Sequence, residues 1–122
     1  TWSTLFPYTT LFRSYAFNTL GNYNFYDYFD ILETILNKLI YRGIGIEINT
    51  SGLRNSLNDI HPKVEILKLY KSLGGEIITI GSDAHKPSDV GANCKESLDL
   101  LKNLDYKYIF TFKNRKPIAH TI

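Results

Sequence analysis

Residues Gly74-Gly75-Glu76-Ile77-Ile78-Thr79-Ile80-Gly81-Ser82-Asp83-Ala84-His85 decide how this chain is read. A short isoleucine-rich run, entered from two glycines and left through a small polar loop, has the composition of a buried strand with a site at its end. Outward on the amino-terminal side, Val64, Ile66, Leu67, Leu69, Tyr70 and Leu73 recur at helical spacing, with Pro62 in the first helical turn and Gly74-Gly75 closing it. On the carboxy-terminal side Val90, Cys94, Leu98, Leu101 and Leu104 mark another helix, with Ser88 or Asp89 as its cap. Further out, Phe25–Tyr41 carries an amphipathic helical pattern ended by Gly43, residues 44–48 form an earlier strand, and Tyr108–Phe112 a later one.

The strand starts fall about 32 residues apart, the length of one strand, loop, helix and return. The expected fold class is therefore α/β, built from about three βα units with parallel strands. The pattern alone leaves open a doubly wound sheet and a piece of a barrel. In both, the loops after the strands gather on one face, here Asn49–Arg54, Gly81–Gly91 and Lys113–Pro117.

The chain has 122 residues, 14 Lys+Arg against 12 Asp+Glu, and 43% hydrophobic residues. That balance excludes a disordered chain, and the scattered basic residues argue against nucleic acid as a partner. No apolar run approaches the roughly 20 residues of a membrane helix, so no membrane partner is expected. Cys94 is the one cysteine; it excludes an internal disulfide framework and fits a reducing, cytoplasmic setting. The chain contains no methionine. Residues Thr4-Leu5-Phe6-Pro7-Tyr8-Thr9-Thr10-Leu11-Phe12-Arg13-Ser14 read as the in-frame translation of a common sequencing-adapter oligonucleotide. The expectation is a non-native segment over residues 1–14, a native domain over 15–122 and a missing upstream part.

Asp83 and His85 lie two apart at a strand end, where i and i+2 project together, and a carboxylate beside an imidazole suits a divalent transition metal. In Glu47-Ile48-Asn49-Thr50-Ser51-Gly52-Leu53-Arg54, small polar groups and backbone N–H donors can hold an anion, and Arg54 can grip a phosphate in bidentate fashion. Glu47 sits inside an apolar strand; ligand, hydrogen-bond anchor and edge residue are all open for it. His61 reads as structural, Cys94 as a core residue, His120 as solvated near a frayed terminus, and Lys113-Asn114-Arg115-Lys116 as a solvated charge run. No serine nucleophile elbow, P-loop or dinucleotide fingerprint is present.

Together these stretches resemble the carboxy-terminal part of a histidinol-phosphatase of the PHP (polymerase and histidinol phosphatase) family. The Gly-Ser-Asp-Ala-His step marks the wider superfamily, and Asn-Thr-Ser-Gly-Leu-Arg narrows it to this branch. The resemblance runs from about Gly21 to Pro117. It implies a distorted (β/α)₇ barrel, three divalent metal ions (zinc, manganese or iron) at the strand ends, and hydrolysis of L-histidinol phosphate to L-histidinol and phosphate in histidine biosynthesis. By the same resemblance Asp83 and His85 are metal ligands, Arg54 faces the substrate phosphate, and Asn49 and Ser51 support that loop. The partner is then a small phosphate ester, with the amino-terminal half of the chain's own barrel missing. Other PHP phosphoesterases and a non-catalytic anion-binding α/β module are the competing readings.

The family's amino-terminal half carries a His-x-His motif, further histidines and a glutamate, whereas the histidines here are His61, His85 and His120. Two matched ligands cannot hold three ions, and the missing units would leave an open sheet edge that promotes association. The purified 122-residue chain is therefore expected to show no metal-dependent turnover of histidinol phosphate in excess manganese or zinc. Turnover near that of an intact family member would contradict this.

Overall fold

A computed structural model describes residues 24–55 and 57–122. The adapter-like segment over 1–14, the expected native start near Tyr15 and the opening of the resemblance at Gly21 lie outside the described residues.

The chain is α/β. Asn24 caps the first element, its Oδ1 accepting from the Tyr26 N–H at 3.1 Å. A 3-10 turn over Phe25–Tyr28 leads into helix α1, Phe29–Tyr41, whose buried side chains Leu32, Leu36 and Leu39 form one stripe. Gly43, at φ +65°, ends it, with the Ile44 N–H turned back to the Leu39 carbonyl at 2.9 Å. Strand β1 is Ile46–Asn49, helix α2 is Val64–Ser72 and strand β2 is Ile78–Gly81. The two strands pair in parallel, with Ile46 opposite Ile78, Glu47 opposite Thr79, Ile48 opposite Ile80 and Asn49 opposite Gly81. Ile48 and Ile78 are fully buried, together with Leu36, Ile66, Leu67 and Tyr70 from the helices. Two polar tips are satisfied inside this core: the Tyr106 hydroxyl donates to the Leu67 carbonyl at 2.7 Å, and the Tyr70 hydroxyl to the Ile77 carbonyl at 3.2 Å. Lys71 ties α2 to the end of the third helix through the Leu104 carbonyl, 2.7 Å away, with its ammonium over the Tyr106 ring.

The βαβ unit is the part that the spacing predicts, with Pro62 falling just before the helix rather than inside its first turn. The third unit departs from it. Helix α3 is Cys94–Asn103, and neither Ser88 nor Asp89 caps it; the cap is Asn93, in the left-handed region at φ +60°. Residues Pro87–Asp89 form a separate 3-10 turn instead, which leaves Val90 exposed rather than on an apolar helix face. Cys94, as the first residue of α3, is half-buried rather than in the core.

Strand β3, Tyr108–Lys113, pairs antiparallel with β4, Lys116–Thr121, and the two form a separate sheet. The expected loop Lys113–Pro117 is the tip of this hairpin. Its turn residues Asn114 and Arg115 have φ +50° and +64°, the two positive values that a type I′ turn requires. His120, expected at a frayed end, stands in β4 opposite Ile109, its Nε2 2.8 Å from the Thr111 hydroxyl oxygen. Pro117 is tolerated because β4 is the outer strand of its sheet.

Among non-glycine residues the left-handed region is costly, and arginine gains nothing there from a short polar side chain. Arg115→Gly is therefore expected to stabilise the chain by up to about 1 kcal/mol. A denaturant midpoint unchanged or lowered would contradict the I′ turn.

Candidate functional site

Parallel pairing of β1 and β2 brings the loops after both strands to one edge. The join is built from backbone and one buried threonine. The Thr50 N–H donates to the Gly81 carbonyl at 2.9 Å, and the Thr50 hydroxyl donates to the Ala92 carbonyl at 2.6 Å. Thr50 has no solvent exposure, so its hydroxyl could not stay there without that partner. In the second loop the Gly91 N–H donates to the Ser82 hydroxyl oxygen at 3.2 Å.

Arg54 closes the join. It ends the 3-10 turn Ser51–Arg54, where the Asn49 Oδ1 accepts from the Ser51 N–H at 2.9 Å and from its hydroxyl at 2.6 Å. Nη1 of Arg54 donates to the Thr50 hydroxyl oxygen at 3.2 Å, Nη2 donates to the Ser82 carbonyl, and Nε lies 3.7 Å from Asp89 Oδ2. The guanidinium thus links the two loops to each other. Its side chain keeps 22% of its exposure, so the arginine is not sealed off from solvent.

Asp83 and His85 follow directly. Asp83 is at φ +49°, so the chain leaves β2 through a left-handed residue and the two side chains do not project side by side as an extended strand end would place them. The imidazole folds back instead: His85 Nδ1 lies 2.8 Å from the Asp83 carbonyl oxygen and 3.9 Å from Asp83 Oδ1. A carbonyl only accepts, so that contact places the proton on Nδ1 and leaves the Nε2 lone pair facing outward. The His85 side chain is 75% exposed, the Asp83 side chain 22%.

Glu47 joins this edge, which answers one of the questions that its sequence context leaves open. A Cβ on Gly81 would stand 3.0 Å from the Glu47 carboxyl carbon, so the bare glycine is what lets that carboxylate lie across β2 toward Asp83. Although Glu47 is on the exposed side of β1, crowding by protein atoms raises its carboxyl above the ordinary value, and repulsion from Asp83 raises it further. Glu47, Asp83 and His85 offer oxygen and nitrogen donors, the set that a divalent transition metal takes. Among the described residues no group of three or more His, Cys, Asp or Glu side chains is arranged to hold a metal ion. Asp83 and His85 stand side by side as one carboxylate and one imidazole, two donors of the kind such a metal takes.

His61 stands behind the first loop. Its backbone bridges to Asn49 in both directions, at 2.7 and 3.1 Å, and its ring lies where a Cβ on Gly52 would go. Its Nε2 is buried without a hydrogen-bond partner among the described residues. Burial holds the imidazole below its ordinary value, with Asp59 pulling up and Lys63 pushing down. Three contributors escape sequence reasoning here: Thr50, Ser82 and Asp89. Each acts across the two loops, and nothing in their local spacing shows that.

The structure is thus an α/β unit whose parallel strand ends carry an arginine on one loop and a carboxylate–imidazole pair on the next. No family model matches the chain. It is 35% identical over 99 residues, 81% of its length, to a probable histidinol-phosphatase of Clostridium acetobutylicum. It is 36% identical over 80 residues to the probable histidinol-phosphatase of Thermotoga maritima, and 25% identical over 75 residues to that of Deinococcus radiodurans. The resemblance carried by the two motifs is one to histidinol-phosphatases. A 99-residue stretch of a 122-residue chain necessarily contains residues 24–99, hence both loops. The chain spans only 38%, 34% and 28% of these three relatives.

A histidine held below its ordinary value stays neutral in the folded chain while the unfolded chain takes up a proton. His61 thus contributes stability that is present above about pH 6.5 and is lost as pH falls toward its folded value. Glu47 works oppositely: its contribution is full below about pH 4.5 and is lost as pH rises through its folded value. Because the two groups act in opposite directions, the readout is a difference: between pH 7 and pH 5.5 the wild type is expected to lose more melting temperature, or gain less, than His61→Gln. A wild-type slope retained in His61→Gln would contradict the assignment.

Proposed function

We propose that the chain is the carboxy-terminal portion of a metal-dependent histidinol-phosphatase with a PHP barrel, a phosphoric monoester hydrolase that splits L-histidinol phosphate into L-histidinol and phosphate. The observation that carries this reading is the position of Arg54: it bridges the loop after β1 to the loop that bears Asp83 and His85. A phosphoryl group at that guanidinium lies beside the two donors that a divalent metal would use. The names of the three relatives support the substrate.

In this reading Asp83, through its carboxylate, and His85, through Nε2, hold part of a metal cluster whose other ligands come from the rest of the barrel. Bound divalent metal supplies Lewis acidity toward the phosphoryl oxygens and lowers the pKa of coordinated water. Arg54 binds and orients the phosphate and offsets its charge, while Asn49 and Ser51 fix the turn that aims Arg54. The Asp83 carbonyl keeps the proton on His85 Nδ1, so the ring offers the same nitrogen outward at every encounter. Glu47 adds a carboxylate at the same strand edge.

A chimera tests the reading without the missing half. Residues 46–122 replace the matching segment of the Thermotoga maritima relative, and histidinol phosphate hydrolysis is assayed with added manganese. Activity is expected, with a loss of 100-fold or more on Asp83→Ala and on Arg54→Ala, on the order of an essential electrostatic group. A folded chimera without histidinol phosphatase activity, or with activity indifferent to both substitutions, would overturn the reading.

A further inference from the structure

Arg54 does not wait with an empty fork. Two of its nitrogens are spent on neutral acceptors, the Thr50 hydroxyl and the Ser82 carbonyl, both fixed by the ends of β1 and β2. Among the described residues, the carboxylate paired with the guanidinium is that of Asp89, and that contact differs in kind. Nε and Oδ2 are 3.7 Å apart, too far for a hydrogen bond, and each side chain keeps 22% exposure. Among the described residues the other carboxylate oxygen is held by the exposed Ser88 hydroxyl, at 3.4 Å. The Asp89 backbone, by contrast, is anchored: its N–H donates to the Lys86 carbonyl at 3.0 Å and its carbonyl accepts from Ala92 at 3.0 Å. The side chain can swing away while the loop stays.

We propose that Asp89 is a built-in competitor for the anion at Arg54, so that a phosphate group binds by displacing a carboxylate belonging to the chain itself. The inference rests on the reading of Arg54 as phosphate-facing and adds a specificity-setting residue to it. A partly exposed ion pair without a hydrogen bond is a weak hold, whereas a phosphate dianion on the same fork forms charge-assisted hydrogen bonds. Asp89 therefore sets a threshold: a phosphoryl dianion passes it, and a lone carboxylate, which offers no more than Asp89 does, is turned away. Asp89 is a positioning and selecting residue, since it touches the arginine and not the reacting atoms.

Calorimetric titration of the full 122-residue chain with inorganic phosphate, and separately with acetate, tests this at low ionic strength. Asp89→Asn is expected to bind phosphate roughly two- to fivefold tighter than the wild type and to gain measurable acetate binding. Asp89→Glu should behave as the wild type, and Arg54→Gln should bind neither anion. If Asp89→Asn fails to fold by circular dichroism, Asp89→Ser is read in its place with the same expectation. Equal or weaker phosphate binding in the neutral variant, no binding in any variant, or binding that survives Arg54→Gln would overturn the proposal. An inactive chimera beside tighter phosphate binding in Asp89→Asn would break the histidinol-phosphatase reading and leave the displacement standing; the reverse pattern would break the displacement alone.

Discussion

The hydrogen bond from the Thr50 N–H to the Gly81 carbonyl extends the β1–β2 ladder by one step beyond its last pair, Asn49 and Gly81. Everything at the candidate site hangs from that step. Parallel pairing is tolerated only where helices cover the sheet, and Ile48 and Ile78, both fully buried, are the residues that this cover pins. A slip of one residue would turn them outward and send Glu47 into the core. With the register held, Thr50 is buried at the seam, its hydroxyl reaches Ala92, and Arg54 is left at the right distance to reach Ser82 and Asp89. The core sets the register, the register sets the loops, and the loops set the arginine.

Much of this was legible in the residues. The isoleucine runs, the glycine stops and the stripes of Leu32, Leu36 and Leu39 or of Ile66, Leu69 and Tyr70 report burial directly, because side-chain periodicity is the physical cause of the element. The Gly-Ser-Asp-Ala-His and Asn-Thr-Ser-Gly-Leu-Arg segments were visible as polar loops after strands for the same reason. In the third unit the helix and the strand were legible, but not where the helix starts nor what the strand pairs with. Leu98, Leu101 and Leu104 give a helical period that extrapolates smoothly back to Val90, but Gly91 at φ +73° and Asn93 at φ +60° interrupt the backbone, and α3 starts only at Cys94. The hairpin failed for a different reason: Asn114-Arg115 lacks the glycine by which an I′ turn is normally recognised, and Pro117 discourages reading a strand after it.

The site itself divides the same way. Residue types pointed to Asp83 and His85 as a carboxylate with an imidazole and to Arg54 as an arginine after small polar groups, while the parts of Asn49 and Ser51 came from the resemblance alone. How they are connected is a matter of long-range contact. Nothing local to Asp89 says that it faces Arg54, 35 positions earlier in the chain. Nothing local to Glu47 says that Gly81 makes room for its carboxylate. His61 reads as structural from the sequence and is packed behind the loop, yet its buried Nε2 has no hydrogen-bond partner among the described residues, a cost of about 1–3 kcal/mol that the surrounding packing carries.

The loops after β1 and β2 are joined into one edge, which we propose handles both a cation and an anion. Paramagnetic broadening of the amide resonances of the ¹⁵N-labelled chain by substoichiometric Mn²⁺ reads that edge directly. The account predicts broadening at Ser82–Lys86 together with Glu47 and Thr50–Arg54, and sharp signals at Gly43 and Gly74–Gly75, at the opposite end of the two strands. Broadening confined to His120 and the hairpin, or spread evenly over the chain, would contradict it.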